Sequence, residues 1–189
     1  KKSHYVKSNE EIRKDKEGQD ILDQGYQSQS EGSKNPLILV IDDLKDMRDL
    51  ISKELLVQNF KVITRTNGLN GLEAARKYRP DLIITDWMMP IMSGPQMISN
   101  LKKENELKNI PIIILTSKAD DESRIKGIDI GADNYLSKPF KMQELLSNIS
   151  NLIELKDNEK KLSNANIDLK EKQSAIQNLL ENLGQGFLI

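Results

Sequence analysis

The chain contains no cysteine, so neither a disulfide framework nor a thiolate metal site is open to it, and a reducing cytoplasm is the expected setting. Histidine is almost as scarce. The only one, His4, lies in a polar N-terminal stretch, where a plain tail residue is a better reading than a phosphate carrier. Charge of one sign is lacking too: 28 basic residues are interspersed with 29 acidic ones. No basic field is therefore available to attract nucleic acid. No apolar run approaches the length of a membrane span, and no signal peptide is visible. What remains is a chain of 189 residues, enough for one ordinary domain plus extensions. A segment of about 120 residues buries a real core without staples. The start at Lys1 and the apolar end Phe187-Leu188-Ile189 read as a piece of something longer.

Residues 1–34 are polar and almost without apolar periodicity. Ile12, Ile21 and Leu22 would suit a short helix, but Gly18, Gly25 and Gly32 interrupt it, so the stretch reads as a tail or linker. The character then changes. Leu37-Ile38-Leu39-Val40-Ile41, Leu82-Ile83-Ile84 and Ile112-Ile113-Ile114-Leu115 are short and apolar at consecutive positions. Such runs mark strands covered on both faces, as in a parallel sheet. Weaker runs at Lys61-Val62-Ile63-Thr64 and Asn134-Tyr135-Leu136 complete the set. Helical patterns lie between them, over residues 47–55, 71–78, 95–103 and 123–130. Strand and helix alternate five times, which predicts an α/β fold with a doubly wound parallel sheet.

From residue 141 a single helix is expected to run to 183, with Gly184 placed to stop it. Leu145, Leu146, Ile149, Leu152 and Ile153 would pack on the sheet. Beyond them the apolar pattern thins to one seam, Leu155, Leu162, Leu169, Ile176 and Leu183, spaced seven apart. With these at heptad position d, Leu152, Glu159, Asn166, Gln173 and Leu180 fall at a. Leucine at d with polar residues at a suggests a weak, register-specific parallel coiled coil; the alternative is a solvated single helix that happens to repeat. The expected organisation is a polar tail or linker over 1–34, a domain over 35–155, a coiled-coil linker helix over 156–183 and the start of a truncated downstream domain over 184–189.

In an open α/β sheet, function sits at the carboxyl ends of the strands. The first apolar run ends in Asp42-Asp43, the third in Thr85-Asp86 and the fourth in Thr116-Ser117; Lys138-Pro139 follows the fifth. These groups should converge on one rim. Three carboxylates in one place repel each other, and a divalent cation resolves that conflict. Mg²⁺ suits such a site because it prefers oxygen ligands and keeps positions open for water and phosphate. An aspartate attacking phosphorus gives an acyl phosphate. A lysine nearby would contact phosphoryl oxygens as a point charge, and a hydroxyl at the next strand end would hydrogen-bond another. Each element alone has a bland reading. Asp43 could cap the following helix, Asp86 could be a turn residue, Thr116 could cap a helix near Ala119, and Lys138-Pro139 could be a surface loop. Asp46 and Asp49 read as a solvated helix face. The strength of the set lies in its order at four functional strand ends.

These stretches resemble the response-regulator receiver family. The matches are Ile38-Leu39-Val40-Ile41-Asp42-Asp43, Asp81-Leu82-Ile83-Ile84-Thr85-Asp86-Trp87-Met88-Met89-Pro90 with Ser93-Gly94, Ile114-Leu115-Thr116-Ser117, and Gly131-Ala132-Asp133-Asn134-Tyr135-Leu136-Ser137-Lys138-Pro139-Phe140. The resemblance implies a (βα)5 fold with strand order 2-1-3-4-5 and places 35–155 as the receiver. It implies Asp86 as phosphoacceptor, Asp42 and Asp43 as Mg²⁺-binding acids with the Met88 carbonyl, and Thr116 and Lys138 as the pair contacting the phosphoryl group. Tyr135 corresponds to the switch aromatic, and the Lys138–Pro139 bond is expected to be cis. Met88 and Lys118 occupy the positions that tune dephosphorylation, and neither obviously positions a water, so a long-lived acyl phosphate is expected.

The implied partner is a histidine kinase or phosphotransfer protein, with signalling through the fourth helix, fifth strand and fifth helix, by homodimer rearrangement, to a downstream effector. The domain would be a regulatory phosphoacceptor rather than an enzyme, with no nucleic-acid or membrane contact of its own. The last residues are similar to segments leading into PAS-type sensors, histidine kinases or nucleotide cyclases. A phosphorylation-independent interaction module is disfavoured by the intact set Asp42, Asp43, Asp86, Thr116 and Lys138. An aspartate-nucleophile phosphatase is disfavoured because Met88 stands where a second acid would be needed.

Overall fold

The computed structural model describes residues 12–14, 20–22, 35–117 and 131–186, with side chains over 35–117 and 131–178. The strands among them are β1 (Ile12–Lys14), β2 (Asp20–Leu22), β3 (Leu37–Ile41), β4 (Lys61–Arg65), β5 (Leu82–Asp86), β6 (Ile112–Ser117) and β7 (Asn134–Lys138). They form one sheet in the order β1-β2-β4-β3-β5-β6-β7. The five strands from β3 onward are mutually parallel, and numbered among themselves they follow the expected order 2-1-3-4-5. The described helices are α1 (Lys45–Val57), α2 (Gly68–Tyr78), α3 (Gly94–Leu101) and α4 (Met142–Gly186). The helix expected at residues 123–130 lies outside the described residues, so α4 is the fifth helix of the sequence reading. The chain divides into two compact units, 1–152 and 153–189, with the break inside α4.

Consecutive apolar residues in each central strand point to opposite faces, so both faces need covering. On one face Leu39, Ile41, Ile63, Ile83, Ile112 and Ile114 meet Leu72 and Ala75 of α2 and Met97, Ile98 and Leu101 of α3. The alternate residues Ile38, Val40, Ile84, Ile113 and Leu115 are equally buried, as are Ile51 and Leu55 of α1 and Leu145 and Ile149 of α4. Each such side chain contributes about 1.5–3 kcal/mol on burial.

Three details differ from what the sequence offered. Within the stretch read as a tail or linker, Ile12, Ile21 and Leu22 lie in short strands: β1 and β2 are antiparallel, and β2 sets Ile21 opposite Ile63 and Leu22 opposite Val62 of β4. An open edge of β4 presents unpaired backbone groups that a short extended segment can take up, while the glycines deprive a helix of propensity. Asp43 does not cap α1. Leu44 is the N-cap and supplies no side-chain bond, and Asp42 turns the chain instead by accepting the Leu44 N–H through Oδ1 at 2.9 Å. The last helix passes Gly184 and ends at Gly186, because a glycine permits a helix end without compelling one. Asp46 and Asp49 are exposed, and Asp49 pairs with Lys45 at 2.6 Å, as a solvated face would.

Candidate functional site

Register brings the chemistry to one rim. Ile41 of β3 lies opposite Thr85 of β5, so Asp42 follows its strand at the level of Asp86. Asp86 in turn pairs with Leu115 of β6, and Thr116 and Ser117 pair with Ser137 and Lys138 of β7. Four strand ends thus align Asp42, Asp86, Thr116 and Lys138.

The loop after β5 is held by α3. Ser93 caps that helix in a reciprocal box with Gln96: the Gln96 N–H donates to Ser93 Oγ at 3.4 Å and the Ser93 N–H to Gln96 Oε1 at 3.0 Å. Gly94 donates its N–H to the Trp87 carbonyl at 3.0 Å. A Cβ at Gly94 would collide with the Asp86 carbonyl oxygen, so only glycine lets α3 abut the end of β5.

At the centre stands Lys138. Its Nζ donates to Asp42 Oδ2 at 2.8 Å and to Asp86 Oδ1 at 2.6 Å. The Asp42 side chain is fully buried, while Asp86 and Lys138 keep 13% and 21% exposure, so the rim opens to solvent at Asp86 and the lysine. The second oxygen of Asp86 accepts the Met88 N–H at 3.0 Å. Thr116 is buried, and its hydroxyl donates to the Ser117 carbonyl at 3.3 Å. Tyr135 is half-buried and packs against the core. Asp43 and Met88 are exposed. The Lys138–Pro139 peptide bond is cis, as the resemblance implied. Lys118 and His4 lie outside the described residues.

Burial pushes the Asp86 carboxyl above its ordinary value, more than the Lys138 ammonium and the Met88 N–H pull it back; the Asp42 charge adds to the rise. Burial alone would lower Lys138, yet its hydrogen bonds to Asp42 and then Asp86 carry it above its ordinary value. One ammonium is shared between two carboxylates, and burial remains the largest influence on Asp86. Among the described residues no three acidic, histidine or cysteine side chains stand as a ready-made metal cage. The donor set still suits a hard divalent cation, since all its ligating atoms are oxygens and the acids outnumber the lysine.

One contributor was not singled out from the sequence. Arg48 of α1 donates from Nη1 to the Asp42 carbonyl at 2.6 Å and so pins the loop that carries the acid pair. The available signal was a cation in the helix turn after two acids, which alone is common on solvated helices.

The profile of the response regulator receiver domain matches residues 38–150. Over 152 residues the chain is 41% identical to the hybrid signal transduction histidine kinase D of Dictyostelium discoideum, a match covering 78% of this chain and 10% of that protein. It is 35% identical over 112 residues to the phosphate regulon transcriptional regulatory protein PhoB of Escherichia coli, covering 59% of this chain and 49% of PhoB. The chain therefore spans about a tenth of the first relative and about half of the second. Among solved structures, the chemotaxis response regulator CheY4 of Vibrio cholerae aligns with a TM-score of 0.60 at 30% identity, covering 63% of this chain and 99% of CheY4. The receiver domain of the sensor histidine kinase PA1611 of Pseudomonas aeruginosa, with a magnesium ion coordinated in its active-site cleft, aligns with a TM-score of 0.60 at 26% identity, covering 64% of this chain and 98% of that domain. With five parallel strands in the order 2-1-3-4-5 and a family match across most of the first unit, this chain belongs to the response regulator receiver domain family.

Proposed function

We propose that Asp86 accepts a phosphoryl group from the phosphohistidine of a histidine kinase or phosphotransfer protein. The observation that carries this reading is the lysine bridge: Lys138 Nζ lies within hydrogen-bond distance of both Asp42 and Asp86 at a partly open strand rim. Asp42, Asp43, Asp86 and the Met88 carbonyl are the groups that would hold Mg²⁺. When bound, the ion neutralises charge on the transferring phosphoryl group. An Asp86 carboxylate oxygen bonds to phosphorus while the P–N bond to the donor imidazole breaks, its electron pair returning to nitrogen. Lys138 then turns from the acid pair toward the new phosphoryl oxygens, and the Thr116 hydroxyl, bonded only weakly to the Ser117 carbonyl, is free to donate to another. Movement of Thr116 is answered by Tyr135, and the change passes to α4 as a shift between two populated states. In this reading α4 reports to a downstream effector by changing how two copies pack.

The test is intact mass after incubation with Mg²⁺ and acetyl phosphate, alongside Asp86→Asn. One added phosphoryl group, absent from the variant and without the metal, is the expected result. No addition under conditions that label other receivers would refute the phosphoacceptor role.

A further inference from the structure

The second unit carries an apolar stripe that nothing in the described chain covers. Leu155, Leu162, Leu169 and Ile176 of α4 are each more than half exposed, at 58%, 64%, 55% and 58%. Their interval is seven residues without exception. An isolated helix turns every 3.6 residues, so a stripe meant only for a globular core drifts around the axis, while a strict seven keeps one seam facing another helix. The positions midway along the seam, Glu159, Asn166 and Gln173, are polar and also exposed.

Those polar positions discriminate among partners. In an antiparallel pair, a residues lie beside d residues, which would bury the Asn166 and Gln173 amides against leucine or isoleucine without hydrogen bonds. In a parallel pair at equal register each amide meets its own counterpart and can bond to it. The flanking positions tolerate the same arrangement. They set Asn158 beside Ser163, Ala165 beside Lys170 and Lys172 beside Gln177 across the interface, and none of these pairs brings like charges together. Only the Glu159 layer opposes it. There a carboxylate meets its own counterpart between Leu155 and Leu162, where the leucines limit access of water.

We infer that a second copy of this chain pairs along this seam in parallel and at equal register, and that the Glu159 layer is a built-in weak point that holds the pairing near its threshold. The inference rests on the dimer reading proposed above and adds its geometry and its limiting residue. Pairing kept weak in this way responds to a small bias from the receiver, whereas a seam of uninterrupted leucines would stay closed in either state.

The absence of cysteine from these 189 residues allows a clean test on this chain. Single variants Asn166→Cys, at the seam, and Asn164→Cys, on the opposite face, are oxidised, and sedimentation equilibrium is run on the native chain, Glu159→Gln and Leu169→Asp. The expected result is a disulfide dimer from Asn166→Cys and little from Asn164→Cys. Glu159→Gln should tighten self-association at least tenfold and Leu169→Asp should abolish it. Equal cross-linking from both cysteine positions would overturn the register. An unchanged dissociation constant for Glu159→Gln, with Leu169→Asp still disruptive, would overturn the role of Glu159. If no variant self-associates at any concentration, the dimer reading itself fails, while acetyl phosphate labelling of Asp86 reports separately on the phosphoacceptor.

Discussion

Replacing Lys138 by methionine keeps the length of the stem and removes the charge that two acids share. The native ammonium sits 2.8 Å from Asp42 and 2.6 Å from Asp86, with Asp42 wholly buried. Removing one partner of a buried charge pair costs about 3–5 kcal/mol, because the other partner stays desolvated. Proton uptake by an orphaned carboxylate limits the loss, so about 3 kcal/mol is the working figure. A domain of this size has about 5–15 kcal/mol in total. In chelator, Lys138→Met should therefore lower the urea midpoint by about 1–2 M. Mg²⁺ acts oppositely. In the native protein a cation entering between Asp42 and Asp86 must displace charge-assisted bonds worth about 1.5–3 kcal/mol, and in the variant it need not. The variant should bind Mg²⁺ about tenfold or more tightly, and saturating Mg²⁺ should restore much of its stability. Trp87 is the sole tryptophan, adjoins Asp86 and is 9% exposed, so its emission follows both unfolding and metal titration. A variant as stable as the native protein in chelator, or one that binds Mg²⁺ more weakly, would refute the picture of a lysine competing with the cation for two acids.

Other outcomes follow from the loops around the rim. Ile91 has φ 67° although it is β-branched, and it is 77% exposed, so it carries left-handed strain with little packing in return. Ile91→Gly should raise stability by about 1 kcal/mol, net of the entropy glycine adds to the unfolded chain, visible as a rise of a few degrees in Tm. Gly94→Ala should do the reverse, costing about 1–3 kcal/mol in urea unfolding because its Cβ meets the Asp86 carbonyl, and it should slow labelling by acetyl phosphate by displacing Asp86, the proposed acceptor. Ser93→Ala, which removes half of the α3 capping box, should cost about 1 kcal/mol by urea unfolding while leaving labelling of Asp86 intact.

The consecutive Ile, Val and Leu runs determined the parallel sheet on their own, because only strands buried on both faces need apolar residues at every position. The same sequence determined which polar residues follow each strand. Strand ends in an open α/β sheet share one rim, so the sequence alone groups Asp42, Asp86, Thr116 and Lys138. Tertiary structure alone decided what these groups do to one another. One lysine bridges two acids, Arg48 fixes the Asp42 carbonyl, and Asp43 stays exposed instead of capping α1. Those outcomes depend on side-chain reach across strands far apart in sequence, which local pattern does not encode. The short strands β1 and β2 were illegible for the same reason. Three-residue segments have no periodicity to read, and their extended form is set by the open edge of β4 that they meet.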